Sequence, residues 1–293
     1  MAYKPDRGLI IEFFKELKKN KGAVAGLCLI LFFSIVALFA SVLAPHSPSE
    51  LFDNALRLPP IFSEAGTTKF LLGTDDVGRD MLSRLIHGAQ VSMLIGLSVV
   101  FLAMITGTIL GLVAGFYGGL ADKMIMRVID IIMALPSILL AIVVVSVLGP
   151  GLENAVIAVS IVAIPGFTRV VRASVMSEKE KDYVQASKSL GASNLRTMLR
   201  EILPNCMAPL IVQGTLGFSD GILNAAALGF LGLGAQAPTP EWGIMLSDSR
   251  AFIESSPWMV TLPGLCILIV VLAFNVFGDG LRDALDPRLK GQG

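Results

Sequence analysis

The chain has 293 residues, of which 54% are hydrophobic and only 16% charged, with a formal net charge of zero and a mean hydropathy of +0.74. Soluble domains carry about 25% charged residues, so the composition excludes a soluble globular protein and points to an integral membrane protein. The three cysteines, Cys28, Cys206 and Cys266, lie scattered in apolar segments without CxxC or zinc spacing and read as small packing residues.

Six apolar segments are long enough to span, since a helix needs about 20 apolar residues to cross a roughly 30 Å hydrocarbon core. The first, 22–44, is too long for a signal-peptide apolar region, and SVLAPHSP makes a poor cleavage site, so an uncleaved span is expected. A loop at 45–88 follows. Its LLGTDDVGRDMLSRLIHGAQ stretch holds Gly73 and Gly78 at P-loop-like spacing, but Arg79 and Asp80 stand where that motif needs Lys and Ser or Thr. From Asp80, the apolar residues Met81, Leu82, Leu85 and Ile86 recur at helical period. The expectation is a short surface helix after an exposed charged turn, with Asp75, Asp76, Arg79 and Asp80 either docking an external partner or forming a structural turn. His46 and His87 are isolated, and no metal site is expected.

The second span, 89–117, carries Gly107, Gly111 and Gly115, a small-residue ridge that lets another helix approach closely. That helix belongs either to this chain or to a second subunit. The same choice holds for Ala225, Ala226, Ala227, Gly229, Gly232 and Gly234 at the end of the fifth span. The third span, 124–148, has Arg127 and Asp130 one turn apart, placed to pair near the interface. The fourth, 153–172, contains Pro165.

The polar stretch DYVQASKSLGASNLRTMLREILPN, Asp182 to Asn205, reads as helix, glycine turn, helix, proline. Tyr183, Ala186 and Leu190 give its first helix one apolar face. Gly191 suits the left-handed conformation that ends a helix, and Ser193 is a good N-cap for the next. Leu195, Met198, Leu199 and Ile202 form the second apolar face, and Pro204 precedes the fifth span. On this pattern alone, an amphipathic loop packed on its own bundle is as good a reading as a docking element.

The fifth span, 206–234, holds Ser219, Asp220 and Asn224. A charge within a span is costly unless it faces a cavity or a partner, so this polar stripe either lines a translocation path or makes an interhelical hydrogen bond. The sixth span, 258–278, is free of charge. With both termini cytoplasmic, 18 of the 23 basic residues fall on the inner side, among them Lys4, Arg7, Lys15, Lys18, Lys19, Lys21, Lys123, Arg169, Arg172, Lys179, Lys181, Arg196, Arg200, Arg282, Arg288 and Lys290. Arg57, Lys69, Arg79, Arg84 and Arg250 stay outside. This is the distribution the positive-inside rule predicts. It places the 182–205 hairpin in the cytoplasm and the 45–88 loop outside.

No enzyme signature is present: no span holds a histidine to serve as a base, and there is no HExxH, paired cysteines or ATP-binding motif. An ion or solute channel, or a secondary carrier gated by Asp220, is the rival that needs no energising partner.

Gln185-Ala186-Ser187, Gly191 and Leu203-Pro204 resemble the EAA motif (E-A-A-x-x-x-G, then I-x-L-P) of ABC importer membrane subunits. Gln185 replaces Glu, Ser187 replaces the second Ala, and Ile202 stands one place nearer the Leu-Pro pair. The blocks LLGTDDVGRDMLSRLIHGA, DIIMALPSILLA, ALGFLGLGAQAPTPEWGIMLSD and GDGLRDALDPRL carry a more specific likeness to the peptide and nickel branch of that family, over nearly the whole chain. The resemblance implies an all-α integral membrane protein of the type I importer permease fold. Residues 1–88 would hold a cytoplasmic segment, the first span and the outer loop, 89–285 the ABC type-1 transmembrane domain, and 286–293 a cytoplasmic tail. Within the domain, 178–205 would be the coupling region.

Further implications follow from the likeness. The chain would be a multi-pass permease of the bacterial inner membrane, working with a homologous B-type permease, two cytoplasmic ATPases and an external peptide-binding protein. Nucleic acid plays no part. ATP and Mg would bind the ATPases, with no cofactor on this chain and no catalytic residue. Asp182, Tyr183, Gln185, Ala186, Lys188, Gly191, Ala192 and Pro204 would form the coupling element. The implied cargo is dipeptides, with nickel, longer peptides, glutathione and haem as the alternatives within the branch.

Overall fold

A computed structural model describes residues 17–285. The tail 286–293 and the basic residues Lys4, Arg7, Lys15, Arg288 and Lys290 lie outside the described residues.

Among the described residues the regular secondary structure is helical, apart from one isolated antiparallel bridge between Thr74 and Asp80, and 44–80 is an irregular loop. Helix α1, Lys21–Leu38, starts at Asn20, whose side chain accepts from the Ala23 N–H. It breaks at Phe39 into the short α2, Ala40–Leu43. Helix α3, Met81–Tyr117, is capped by Asp80 and runs 37 residues without interruption. At about 1.5 Å per residue it is roughly 55 Å long, well beyond a hydrocarbon core. The expected short surface helix after Asp80 is therefore the first turns of the second span itself.

The expected third span is not one helix. It divides into α4, Gly119–Met133, and α5, Ser137–Leu148, which meet at 94°. The cause is local: a residue before proline is driven out of the helical region, so Leu135-Pro136 ends α4 and Pro136 starts α5 with an extended backbone. Helix α6, Leu152–Glu178, passes through Pro165 and extends beyond the expected end at 172. After the hairpin come α9, Met207–Phe230, then α10, Trp242–Ser249, and α11, Trp258–Leu285. Among the described residues, five helices, or six spans with the bent pair counted as one, are long and apolar enough to cross a membrane.

The core is organised on α3 and α6. A Cβ on Gly107 would sit 2.5 Å from the Phe167 Cβ, one on Gly111 2.7 Å from the Thr168 carbonyl oxygen, and one on Gly115 2.8 Å from the Val175 Cβ. The glycine ridge is thus consumed within this chain, where close backbone approach lets dispersion contacts accumulate. The small residues of α9 do the same. Gly229 lies against the Glu241 carboxylate, and Gly243 packs on the backbone of Ala226.

Candidate coupling and translocation site

The hairpin begins where α6 ends. Helix α7, Asp182–Ser189, turns one residue inward: Val184, which is fully buried among Val175, Ile202 and Cys206 of the main core. Around it runs a polar joint. Tyr183 donates its hydroxyl to Glu178 Oε2 at 2.6 Å, and Asn205 Nδ2 donates to the Tyr183 oxygen at 3.1 Å and to the Glu201 carbonyl at 2.7 Å. Lys181 pairs with Glu178 at 2.6 Å, and Gln185 Nε2 donates to the Lys179 carbonyl at 3.0 Å. Burial and the Glu178 carboxylate push the Tyr183 phenol well above its usual range, which keeps it a donor. The Lys188 ammonium lies 4.9 Å from the Phe116 ring centroid, tying α7 to the end of α3.

Gly191 takes φ +82°, and a Cβ there would meet no atom within 4 Å. Its requirement is conformational, not spatial. Ser193 caps the short helix α8, Asn194–Arg196, as the spacing predicts. The chain then winds as a π-helix, Thr197–Ile202, and a 3-10 turn, Leu203–Cys206, that contains Pro204.

The outward surface differs from the amphipathic expectation. Ala186 and Leu190 face away from the bundle, Leu190 at 89% exposed, whereas Tyr183 is 39% exposed and reaches the bundle through its hydroxyl. Of the second face, Met198 and Ile202 are buried, whereas Leu195 and Leu199 are exposed. Asp182, Gln185, Ala186, Lys188, Gly191 and Ala192 are all accessible or partly so. The hairpin therefore presents an unpartnered apolar knob, centred on Leu190 and Leu195, on a base fixed by hydrogen bonds.

Two ion pairs, one of them a two-bond fork, join α4 to α6. Arg172 chelates Asp122 through Nε at 2.5 Å and Nη2 at 2.6 Å, joining α6 to α4. Asp130 pairs with Arg169 of α6 at 2.7 Å, in place of the expected pairing with Arg127. A long-range partner on α6 satisfies the carboxylate where the local one does not.

The expected polar stripe of α9 is split. The Ser219 hydroxyl is buried and donates to the Val271 carbonyl at 3.0 Å, the interhelical reading of that residue. Asp220 and Asn224 lie on the open face, where Asn224 Nδ2 donates to the Asp220 backbone carbonyl at 2.8 Å.

At the far end of α3, the charged turn is not exposed. Asp75 is 4% exposed, Arg79 7% and Asp80 1%. Asp75 Oδ1 accepts from the backbone N–H of Val77 and Arg79, while its Oδ2 pairs with Arg79 Nε at 2.5 Å and Arg84 Nε at 3.5 Å. Asp80 caps α3 through the Ser83 N–H and faces His46 Nδ1 at 3.4 Å. Of the four acidic and basic candidates, only Asp76 remains partly accessible. Neither is His46 isolated: its ring packs edge-on against Phe52. The buried Arg84 also donates to the carbonyls of Pro48 and Pro238, at 3.2 and 3.3 Å, linking the 45–80 loop to the segment before α10. There Glu241 caps α10 and accepts from Ser92, and Trp242 donates to the Leu85 carbonyl at 3.2 Å.

The family described as binding-protein-dependent transport system inner membrane component matches residues 107–291. The chain belongs to that family. Residues 8–60 match the N-terminal transmembrane domain of oligopeptide transport permease C. The permease is 58% identical over 279 residues to the di/tripeptide transport system permease protein DppC of Pseudomonas aeruginosa (strain UCBPP-PA14), covering 95% of this chain and 92% of that protein. It is 57% identical over 279 residues to the dipeptide transport system permease protein DppC of Escherichia coli (strain K12), covering 95% and 93%. Its fold is similar to a chain of the MetNI methionine ABC transporter solved in inward-facing conformations. That match has a TM-score of 0.57 at 19% identity over 70% of this chain and 98% of the other. The permease is accordingly an inner-membrane protein.

Sequence reasoning passed over Glu178, Glu201 and Asn205, which hold the base of the hairpin. Their signal is positional: polar residues flanking both ends of one polar interruption are placed to meet when that interruption folds back on itself.

Proposed function

We propose that this permease is one transmembrane half of a type I ABC importer for dipeptides, paired with a homologous B-type permease, two cytoplasmic ATPases and an external peptide-binding protein. The observation that carries this reading is the hairpin, with an exposed apolar knob on a hydrogen-bonded base. A soluble ATPase closing around Leu190 and Leu195 would move Val184 and Tyr183, and through them α6 and α9, as a rigid body. Asp182, Gln185, Ala186, Lys188 and Ala192 lie around the knob, Gly191 shapes it, and Pro204 marks its return to the bundle. The names of the close relatives supply the cargo class.

Both termini are cytoplasmic in this reading. The excess of Lys and Arg on the hairpin side of the chain supports it. Asp220 and Asn224 face the path between the two permeases. ATP and Mg bind the ATPases, and this chain carries no cofactor. The experiment is reconstitution of the four kinds of subunit in proteoliposomes. Labelled dipeptide should accumulate only with ATP, the binding protein and both permeases present. Accumulation by this chain alone would favour a channel or carrier.

A further inference from the structure

Beside the base of the hairpin, α6, α9 and α11 enclose a groove of about 540 Å³. Val170, Val212 and Leu216 form apolar walls, and two polar side chains line it: Gln213 and Arg282. Both are donors, and no acidic residue lines the groove. Among the described residues, neither makes a side-chain hydrogen bond or ion pair. The Gln213 amide reaches across to α6, where a Cβ on Gly166 would lie 3.1 Å from its Nε2.

The groove is continuous with a polar face. Gln213, Asp220 and Asn224 are spaced seven and four residues apart, so they share one side of α9. The opposite side, with Phe218, Ile222 and Ala226, is buried. A helix side open to hydrocarbon does not carry three such residues, whereas one open to a solvated path does. Arg282 then stands at the hairpin end of that path, and Asp220 lies about 10 Å further along the helix from Gln213.

We infer that this groove is a binding station for the C-terminal carboxylate of a peptide on its way through, with Arg282 as the cation, Gln213 as a second donor and Val212 and Leu216 against the peptide side chain. This rests on the dipeptide-import reading and deepens it. The complementarity is chemical: the Arg282 guanidinium, which makes no ion pair among the described residues, can meet a carboxylate in two parallel hydrogen bonds. The apolar walls exclude water and take the side chain. Because the walls come from α6 and α9, the two helices that carry the hairpin, an occupied groove adjoins the joint that the ATPases move.

The test uses the complete transporter in nanodiscs with binding protein, ATP and a dipeptide containing a diazirine analogue of leucine. Photolysis should place adducts on residues 208–216 of α9, suppressed by excess unlabelled dipeptide. Arg282→Gln and Gln213→Leu, prepared separately so that either can be read alone, should lower that labelling. The Arg282 variant should do so about tenfold, the loss of one charge-assisted pair, with Arg282→Lys recovering part of it. Binding-protein-stimulated ATP hydrolysis identifies the variants that have assembled. Undiminished labelling in assembled variants overturns the inference. So does labelling of 208–216 by a photoreactive phosphatidylglycerol that dipeptide fails to displace, which would make the groove a lipid site. Wild-type transporter that imports no dipeptide overturns the functional reading and this inference together. Import with unchanged labelling overturns the inference alone.

Discussion

Tyr183 and Glu178 face each other across the joint between α6 and the hairpin, 2.6 Å from hydroxyl to carboxylate. Asn205, at the other end of the hairpin, donates to the same hydroxyl. One phenol therefore clasps both strands of the chain where they leave and re-enter the bundle. In the proposed importer, a force applied at Leu190 would reach α6 and α9 through this clasp and through Val184.

Tyr183→Phe removes the clasp and leaves the ring. A hydrogen bond of this kind contributes about 1 kcal/mol net, and Glu178 keeps Lys181 as its other donor. Membrane insertion should be normal. The number of dipeptides imported per ATP hydrolysed should fall, measured in proteoliposomes with ATP hydrolysis and uptake followed together. An unchanged ratio would remove the clasp from the coupling pathway.

Gly191→Val should weaken the hairpin without touching the bundle. A side chain at φ +82° costs about 1–2 kcal/mol, and nothing within 4 Å would otherwise obstruct it. Copurification of the ATPases should drop, whereas the thermal midpoint of the isolated permease pair should change little.

The opposite pattern is expected at Gly111. A valine there meets the Thr168 carbonyl oxygen and the Val171 Cβ, both at 2.7 Å from the first added carbon, and backbone cannot step aside as a flexible side chain can. Overpacking of this kind costs about 1–3 kcal/mol or more. Gly111→Val should lower the thermal midpoint in detergent and reduce the folded yield of the permease itself.

In the turn before α3, Asp75 and Asp76 are neighbours with different roles. Asp75→Ala leaves Arg79 and Arg84 buried without their carboxylate, a loss of about 3–5 kcal/mol for a broken buried pair. Asp76→Ala should stay within about 0.5 kcal/mol, as surface changes usually do. Thermal unfolding of the two variants in one detergent separates them.

The spans were legible because hydropathy is a property of each segment by itself, and α3, α6, α9 and α11 needed nothing further. The bend at Leu135-Pro136 was also written in the sequence, but an average over 124–148 hides one proline. The partner of Asp130 and the burial of Asp75 were not legible. Arg169 stands 39 residues from Asp130, so local spacing favours Arg127. Arg79 and Arg84 are near Asp75 in sequence, but the burial of that cluster depends on contacts such as Arg84 with the Pro238 carbonyl, 154 residues away. The hairpin was half legible. Gly191 and Ser193 state the turn, but which of Val184 and Leu190 points inward depends on how α7 leaves α6, and Glu178, Tyr183 and Asn205 decide that jointly.

The most direct measurement is site-specific photocrosslinking from Leu190, replaced by p-benzoylphenylalanine, in the assembled transporter. Adducts with an ATPase subunit, changing in yield between nucleotide-free and ATP-trapped complexes, are the predicted result. Adducts confined to lipid or to the partner permease, with uptake intact, would contradict the assignment of this hairpin as the element on which the ATPases act.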